Sequence, residues 1–329
     1  HPPDLETELN RRGYRLHPDS PVTSNDDIKA ARAVVDLIDQ RFDTFKWLLS
    51  NRPVDIAHCT VFYSNVLQHF FYRGEPTKSA WEIIDSQLGE LREEFPETTL
   101  ILLSDHGCAE IETVFYANSW LEHEGYLATQ DTAANSLGRL GLNQKRISKV
   151  TDRLGLRDII ARLTPERIKE LFPRDEEGFK REQKLERIDW DRSSAIASGQ
   201  GLIYVMSDHS DTVERIIADL SSLTTESGRP VATDVLTRKE AYSGPYVDEA
   251  PDIVFEQRVG VHTSGAIGDN PLFTDVGFWE AENIRTGLFL AAGSDVEADT
   301  VDGPVSITDV APTLLQRMGC PVPADIDGV

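Results

Sequence analysis

Three places in the sequence follow an apolar run with imidazole, carboxylate or carboxamide groups, and such groups are metal-ligand chemistry. TLILLS leads into Asp105-His106-Gly107, HCTVF is followed by YSNVLQHFF, and APDIVFEQ leads into GVHTSGAIG with His262. Asn65 and His69 stand four apart, so they share one face if YSNVLQHFF turns helical. Imidazole with carboxylate suits zinc and related first-row metals. Each residue taken singly also fits a plainer role: Asp105-His106 an ordinary turn, His69 a hydrogen-bonded core histidine in its aromatic setting, His262 a loop residue. His1, His17, His58, His123 and His209 read as surface or packing residues, His58 lying within an apolar run rather than at its end.

The elements that must position these groups alternate. Asp4 to Arg12 and Ser24 to Asn51 have helical spacing, the second behind the cap cluster Asn25-Asp26-Asp27. The run 54–62 reads as a buried strand, Lys78 to Phe95 as a helix, and TLILLS as a second strand. Apolar strands alternating with helices predict an α/β fold with a mostly parallel sheet and helices on both faces, and ligands gather at the carboxyl ends of such strands. Residues 1–129 form the first part of this core, and 130–190, charged and with short helical pieces, read as a helical insertion or cap or as a solvated charged face. Residues 191–329 resume the core through the strand-like ASGQGLIYVM, the helix DTVERIIADLSSL, and the strands PVATDVL, APDIVFEQ and GLFLAAG. The closing helix SITDVAPTLLQRMG runs from N-cap Ser306 to Gly319. Pro245 and Pro251 stiffen a turn. Phe70, Phe71, Tyr72 and Trp279 could stack a base or pack a core, and they assign no substrate.

Composition bounds the partners. With 329 residues, 56 acidic and 33 basic side chains, the net charge is −23, which argues against a nucleic-acid duplex or an acidic membrane surface as partner. A hydrophobic content of 40% supports a globular core. Only 9 of the 33 cations are Lys, the pattern of a salt-adapted protein. Cys59, Cys108 and Cys320 form no CxxC pattern, and no stretch approaches the roughly 20 apolar residues of a membrane span, so a reducing cytoplasmic setting is expected. The chain opens at His1 rather than Met, which leaves room for a preceding segment.

The segments NVLQHFFY, LILLSDHG, NSWLEHEGYL, GQGLIYV, AYSGPYVDEAPDIV, the His262 loop with GLFLAAG, and ITDVAPTLLQRMGCPVPADIDG together resemble the type I phosphodiesterase and nucleotide pyrophosphatase family of the alkaline phosphatase superfamily. Resemblance to sulfatases and phosphomutases of that superfamily is slighter. The family implies an alkaline-phosphatase-like fold and a hydrolase with two divalent ions, zinc first and manganese as the alternative. It implies a phosphate ester or nucleotide-like small molecule as substrate and a phosphorylated Thr or Ser intermediate. Carried over by position, Asp105 and His106 would hold the ion that activates the nucleophile. His69 and His262 would hold the other, with Asn65 at a position where the family has a carboxylate. The nucleophile and a further Asp of the family belong upstream of this chain, so the sequence is expected to lack its N-terminal part and, by itself, activity. A relative without catalysis that binds a phosphorylated ligand or a protein partner is the alternative.

Overall fold

The computed structural model describes residues 3–130, 187–206, 210–297 and 303–328, so most of the expected 130–190 insertion lies outside the described residues. In chain order the first elements are α1 (Pro3–Arg11), α2 (Ile28–Asn51), α3 (Tyr63–Phe70), α4 (Glu75–Glu94), β1 (Leu100–Leu103), β2 (Gly107–Glu110), β3 (Thr113–Tyr116) and α5 (Ala117–His123). There follow β4 (Ala195–Gly199), β5 (Leu202–Val205), α6 (Ser210–Ser222), β6 (Ala232–Thr237), α7 (Arg238–Ala241), β7 (Ile253–Gln257) and β8 (Val261–Ser264). The last are β9 (Phe273–Thr274), β10 (Ala281–Ile284), β11 (Phe289–Ala292) and α8 (Val310–Arg317). The chain divides into two compact units, His1–Glu110 with Gly277–Val329, and Ile111–Val276.

In the first unit α2 starts where Asp27 accepts a hydrogen bond from the N–H of Ala30 at 3.1 Å, capping the first turn. Its buried residues Ala31, Val34, Val35, Ile38 and Phe42 recur at helical spacing and form a stripe. That stripe shares one core with Leu67 and Phe70 of α3 and with Ala80, Ile84 and Leu91 of α4. Two antiparallel ladders complete the unit, β1 with β11 and β2 with β10. The second unit has its own core around Phe115, Trp120, Ile203, Ile216 and Phe255. Its four-stranded antiparallel sheet runs β4-β5-β7-β6, and β3 lies between β8, parallel to it, and β9, antiparallel.

The architecture is mixed α/β, and the expected mostly parallel sheet is not confirmed: among the described residues the sheets are small, and β3–β8 is the one parallel pair. The run 54–62 is not a strand: it joins no ladder, bends at Asp55, and leaves Val54 and Ile56 exposed. Apolar content reports a tendency to be covered, whereas a strand needs a neighbour with matching donors and acceptors. ASGQGLIYV is two strands, because Gly199, Gln200 and Gly201 all take positive φ and turn the chain between β4 and β5. The helices stand close to expectation, α8 included, where Ser306 accepts from the N–H of Thr308 and Gly319 has φ +68°. Among the described residues no helix is long and apolar enough to cross a membrane.

Candidate metal centre

YSNVLQHF is helical as α3, so Asn65 and His69 stand one turn apart on it. His69 is buried, its Nδ1 lies 2.7 Å from the carbonyl oxygen of Ala281, and its ring stacks on Trp279. A carbonyl only accepts, so Nδ1 carries the proton of the neutral ring and the lone pair sits on Nε2. The Asn65 Oδ1 is buried and has no hydrogen-bond partner. An oxygen left that way costs about 1–3 kcal/mol unless something supplies a positive charge or a proton.

Asp105 and His106 lie in the short connection between β1 and β2. Ser104 fastens this connection: its N–H donates to the Leu288 carbonyl at 2.9 Å, and its Oγ accepts from the Leu288 N–H at 2.7 Å. Gly107 is needed for close approach, since a Cβ there would come within 2.0 Å of the Thr286 carbonyl oxygen. The His106 Nδ1 is 3.0 Å from the Gly107 carbonyl oxygen, which places the proton on Nδ1 in the neutral ring. Its Nε2 then faces the Asp105 Oδ1 at 3.5 Å, lone pair against lone pair. A shared cation would reconcile such a contact. Asp105 is exposed and open to solvent on its other side.

His262 belongs to the second unit and is a strand residue rather than a loop residue, paired with Val114 across the parallel ladder of β3 and β8. Its neighbours Val261 and Thr263 are buried, and the N–H of Thr263 donates to the Gln257 Oε1 at 3.0 Å. Asn118 on α5 braces this strand's exit: its Nδ2 donates to the carbonyls of Ala197 and Gly265, and its Oδ1 accepts the Ala197 N–H at 2.8 Å. Gly265 permits the crossing, because a Cβ there would meet the backbone of Ser198 and Gly199 at 2.6 Å. Sequence reasoning named neither Asn118 nor Ser104; a buried Asn three residues before a helical Leu leaves no local signal.

The donor types of Asn65, His69, Asp105 and His106 suit a divalent cation. Among the described residues no three His, Cys, Asp or Glu side chains are grouped for a metal. The cysteines are free, and burial pushes the Cys108 thiol up to about 11, with the Glu282 carboxylate adding to the effect. Cys108 is thus a neutral thiol.

The family model of type I phosphodiesterase / nucleotide pyrophosphatase matches residues 7–279. The chain belongs to this family. Both candidate pairs and His262 lie inside the matched span. Among solved structures, the phosphonoacetate hydrolase of Sinorhizobium meliloti 1021, crystallised with phosphonoacetate, is similar at 16% identity and a TM-score of 0.42. The likeness covers 80% of this chain and 53% of that one, so this phosphodiesterase-family chain spans about half the length of that hydrolase. No match was found among curated proteins.

Proposed function

We propose that this chain carries metal-ligating groups of a phosphoester hydrolase with an alkaline-phosphatase-like fold, acting on phosphodiester or pyrophosphate bonds of small, nucleotide-like substrates through a phosphorylated Thr or Ser. Membership of the type I phosphodiesterase family supports the reaction class. The observation that carries the reading is the pair on α3: a buried carboxamide oxygen without a partner, one turn before a histidine whose Nδ1 is committed to a backbone carbonyl.

In this reading Asp105 and His106 hold one divalent ion, zinc or manganese, and Asn65 and His69 contribute ligands to the second. Bound there, divalent ions would lower the pKa of a coordinated hydroxyl, screen the phosphate and stabilise the departing oxygen. Asp105 contributes the negative charge of its pair, and His106 is aimed by its Nδ1 contact to Gly107. Asn65 contributes an oxygen without charge, so its ion is held less tightly than a carboxylate would hold it. No Thr or Ser of the chain is assigned as the nucleophile.

The test is to titrate the chain with zinc and with manganese, and to assay a p-nitrophenyl phosphodiester and a dinucleotide pyrophosphate. Metal binding that Asp105→Ala and His69→Ala each weaken is the expected result for this chain, and metal-dependent release of product is expected of a protein that also carries the Thr or Ser nucleophile. A folded chain that binds no zinc at micromolar concentration overturns the reading. Asn65 also favours a second reading, a relative without catalysis that binds a phosphorylated ligand; metal binding with tight phosphate-ester binding, and no turnover even with a Thr or Ser nucleophile present, would select it.

A further inference from the structure

We propose that Trp279 is a positioning residue that holds His69 in the orientation of a metal ligand. The inference rests on the reading of His69 as a ligand and adds the device that aims it. Three consecutive residues grip one histidine, all within the first unit. The indole of Trp279 lies face to face with the imidazole, ring centroids 3.8 Å apart and planes 20° apart. The N–H of Glu280 donates to the His69 carbonyl at 2.6 Å, and the Ala281 carbonyl accepts from Nδ1 at 2.7 Å. The stack fixes the plane of the ring, and the hydrogen bond fixes its rotation within that plane.

The clasp is itself tied down. The Glu280 carboxylate accepts from the Tyr72 N–H at 3.1 Å and from the Asn25 Nδ2 at 2.8 Å, so it bridges the residues flanking α3 and α2. Trp279 also meets Phe70 edge-on, at 5.2 Å and 80°. It remains 37% exposed, so its burial alone does not account for its place. A tryptophan serving only as core filling has no need to lie flat on one imidazole whose protonated nitrogen a backbone carbonyl already selects. Partners of this kind, one step behind a ligating histidine, set its tautomer and orientation and govern metal affinity.

The experiment uses the full chain. Long-range proton–nitrogen correlation of labelled histidine identifies the protonated nitrogen of His69, and competition with a chromogenic chelator gives the zinc affinity. Metal-free wild type is expected to show the Nδ1–H form. Trp279→Leu should keep that form, because the Ala281 carbonyl still selects it, but frees the plane of the ring and should bind zinc roughly ten- to a hundredfold more weakly, while Trp279→Phe, which keeps a stacking ring, restores most of the affinity. An Nε2–H form in metal-free wild type overturns the inference without any variant having to fold. So does a folded Trp279→Leu that binds zinc as wild type does while His69→Gln does not bind it. If His69→Gln itself binds zinc like wild type, the reading of His69 as a ligand has failed, and the positioning role falls with it.

Discussion

At the scale of single residues, Asn65 separates a ligand from a structural amide by the sign of two measurements. Its Oδ1 is buried and without a partner, so the metal-free chain carries a desolvation cost there and gains nothing from that oxygen. Asn65→Leu is therefore expected to leave the thermal midpoint unchanged or raised while weakening zinc binding. A structural amide would behave the other way, with the midpoint falling and zinc affinity untouched. Asn65→Asp tests the charge. One added unit charge near 4 Å from a divalent cation is worth about 8 kcal/mol at an effective dielectric of about 20, before desolvation is subtracted. Even with most of that lost, zinc should bind about tenfold tighter, measured by chelator competition, and the metal-free protein should be less stable because a carboxylate is then buried alone.

At the scale of elements, two side chains hold strand ends in the second unit. Asn118 replaces ladder hydrogen bonds between β4 and the residue after β8, with three bonds of 2.8–2.9 Å. At about 1 kcal/mol each, Asn118→Ala should cost about 3 kcal/mol in urea unfolding; a loss under about 1 kcal/mol would mean that water replaces the amide. Glu112 receives Arg258 at 2.9 Å and also pairs with Arg229, and Gly260 lies so close that a Cβ would come within 2.7 Å of the Glu112 carboxyl carbon. The Arg258 hydrogen bond, aided by the charges of Arg258 and Arg229, holds the Glu112 carboxyl below its ordinary value of 4.5. A depressed folded-state pKa gives stability that is present above the unfolded pKa and lost as pH falls through the folded one. Glu112→Gln should thus lower the midpoint modestly at neutral pH, Glu112 being partly exposed, and the gap should close as pH falls from 4.5 through the depressed folded-state pKa. A gap that persists in acid would assign the loss to packing. The same elements show what was legible beforehand. Helices α2, α4, α6 and α8 announce themselves because stripe and caps are local, and the four-residue spacing of Asn65 and His69 became a helix face. The run 54–62 misled because pairing depends on a distant partner. His262 looked like a loop residue because glycines flank it, yet Gly260 closes the turn before β8 and Gly265 marks a backbone crossing after it. The clasp on His69 joins residues 212 apart in sequence, beyond the reach of any pattern.

At the scale of the whole molecule the question is what the surplus of carboxylates does. Even if every one of the 33 cations paired, 23 of the 56 acidic groups would have no cation to pair with. Pairs such as Arg52–Asp4, Arg73–Glu110 and Lys78–Glu82 lie at the surface, where solvent and salt leave each of them little net contribution. Salt acts on both sides of this balance, weakening the pairs and screening the repulsion. At about 1 M the screening length falls to roughly 3 Å, shorter than most carboxylate separations but comparable to a contact pair. Long-range repulsion is therefore removed more completely than short-range attraction, and the net change should be stabilising. Chloride is the proper test salt, because sulfate strengthens apolar burial regardless of charge. The thermal midpoint is expected to rise steadily from dilute buffer to molar KCl. A flat or falling midpoint would show that the paired minority outweighs the surplus, and the proposal that the chain is adapted to a salt-rich setting would have to be given up.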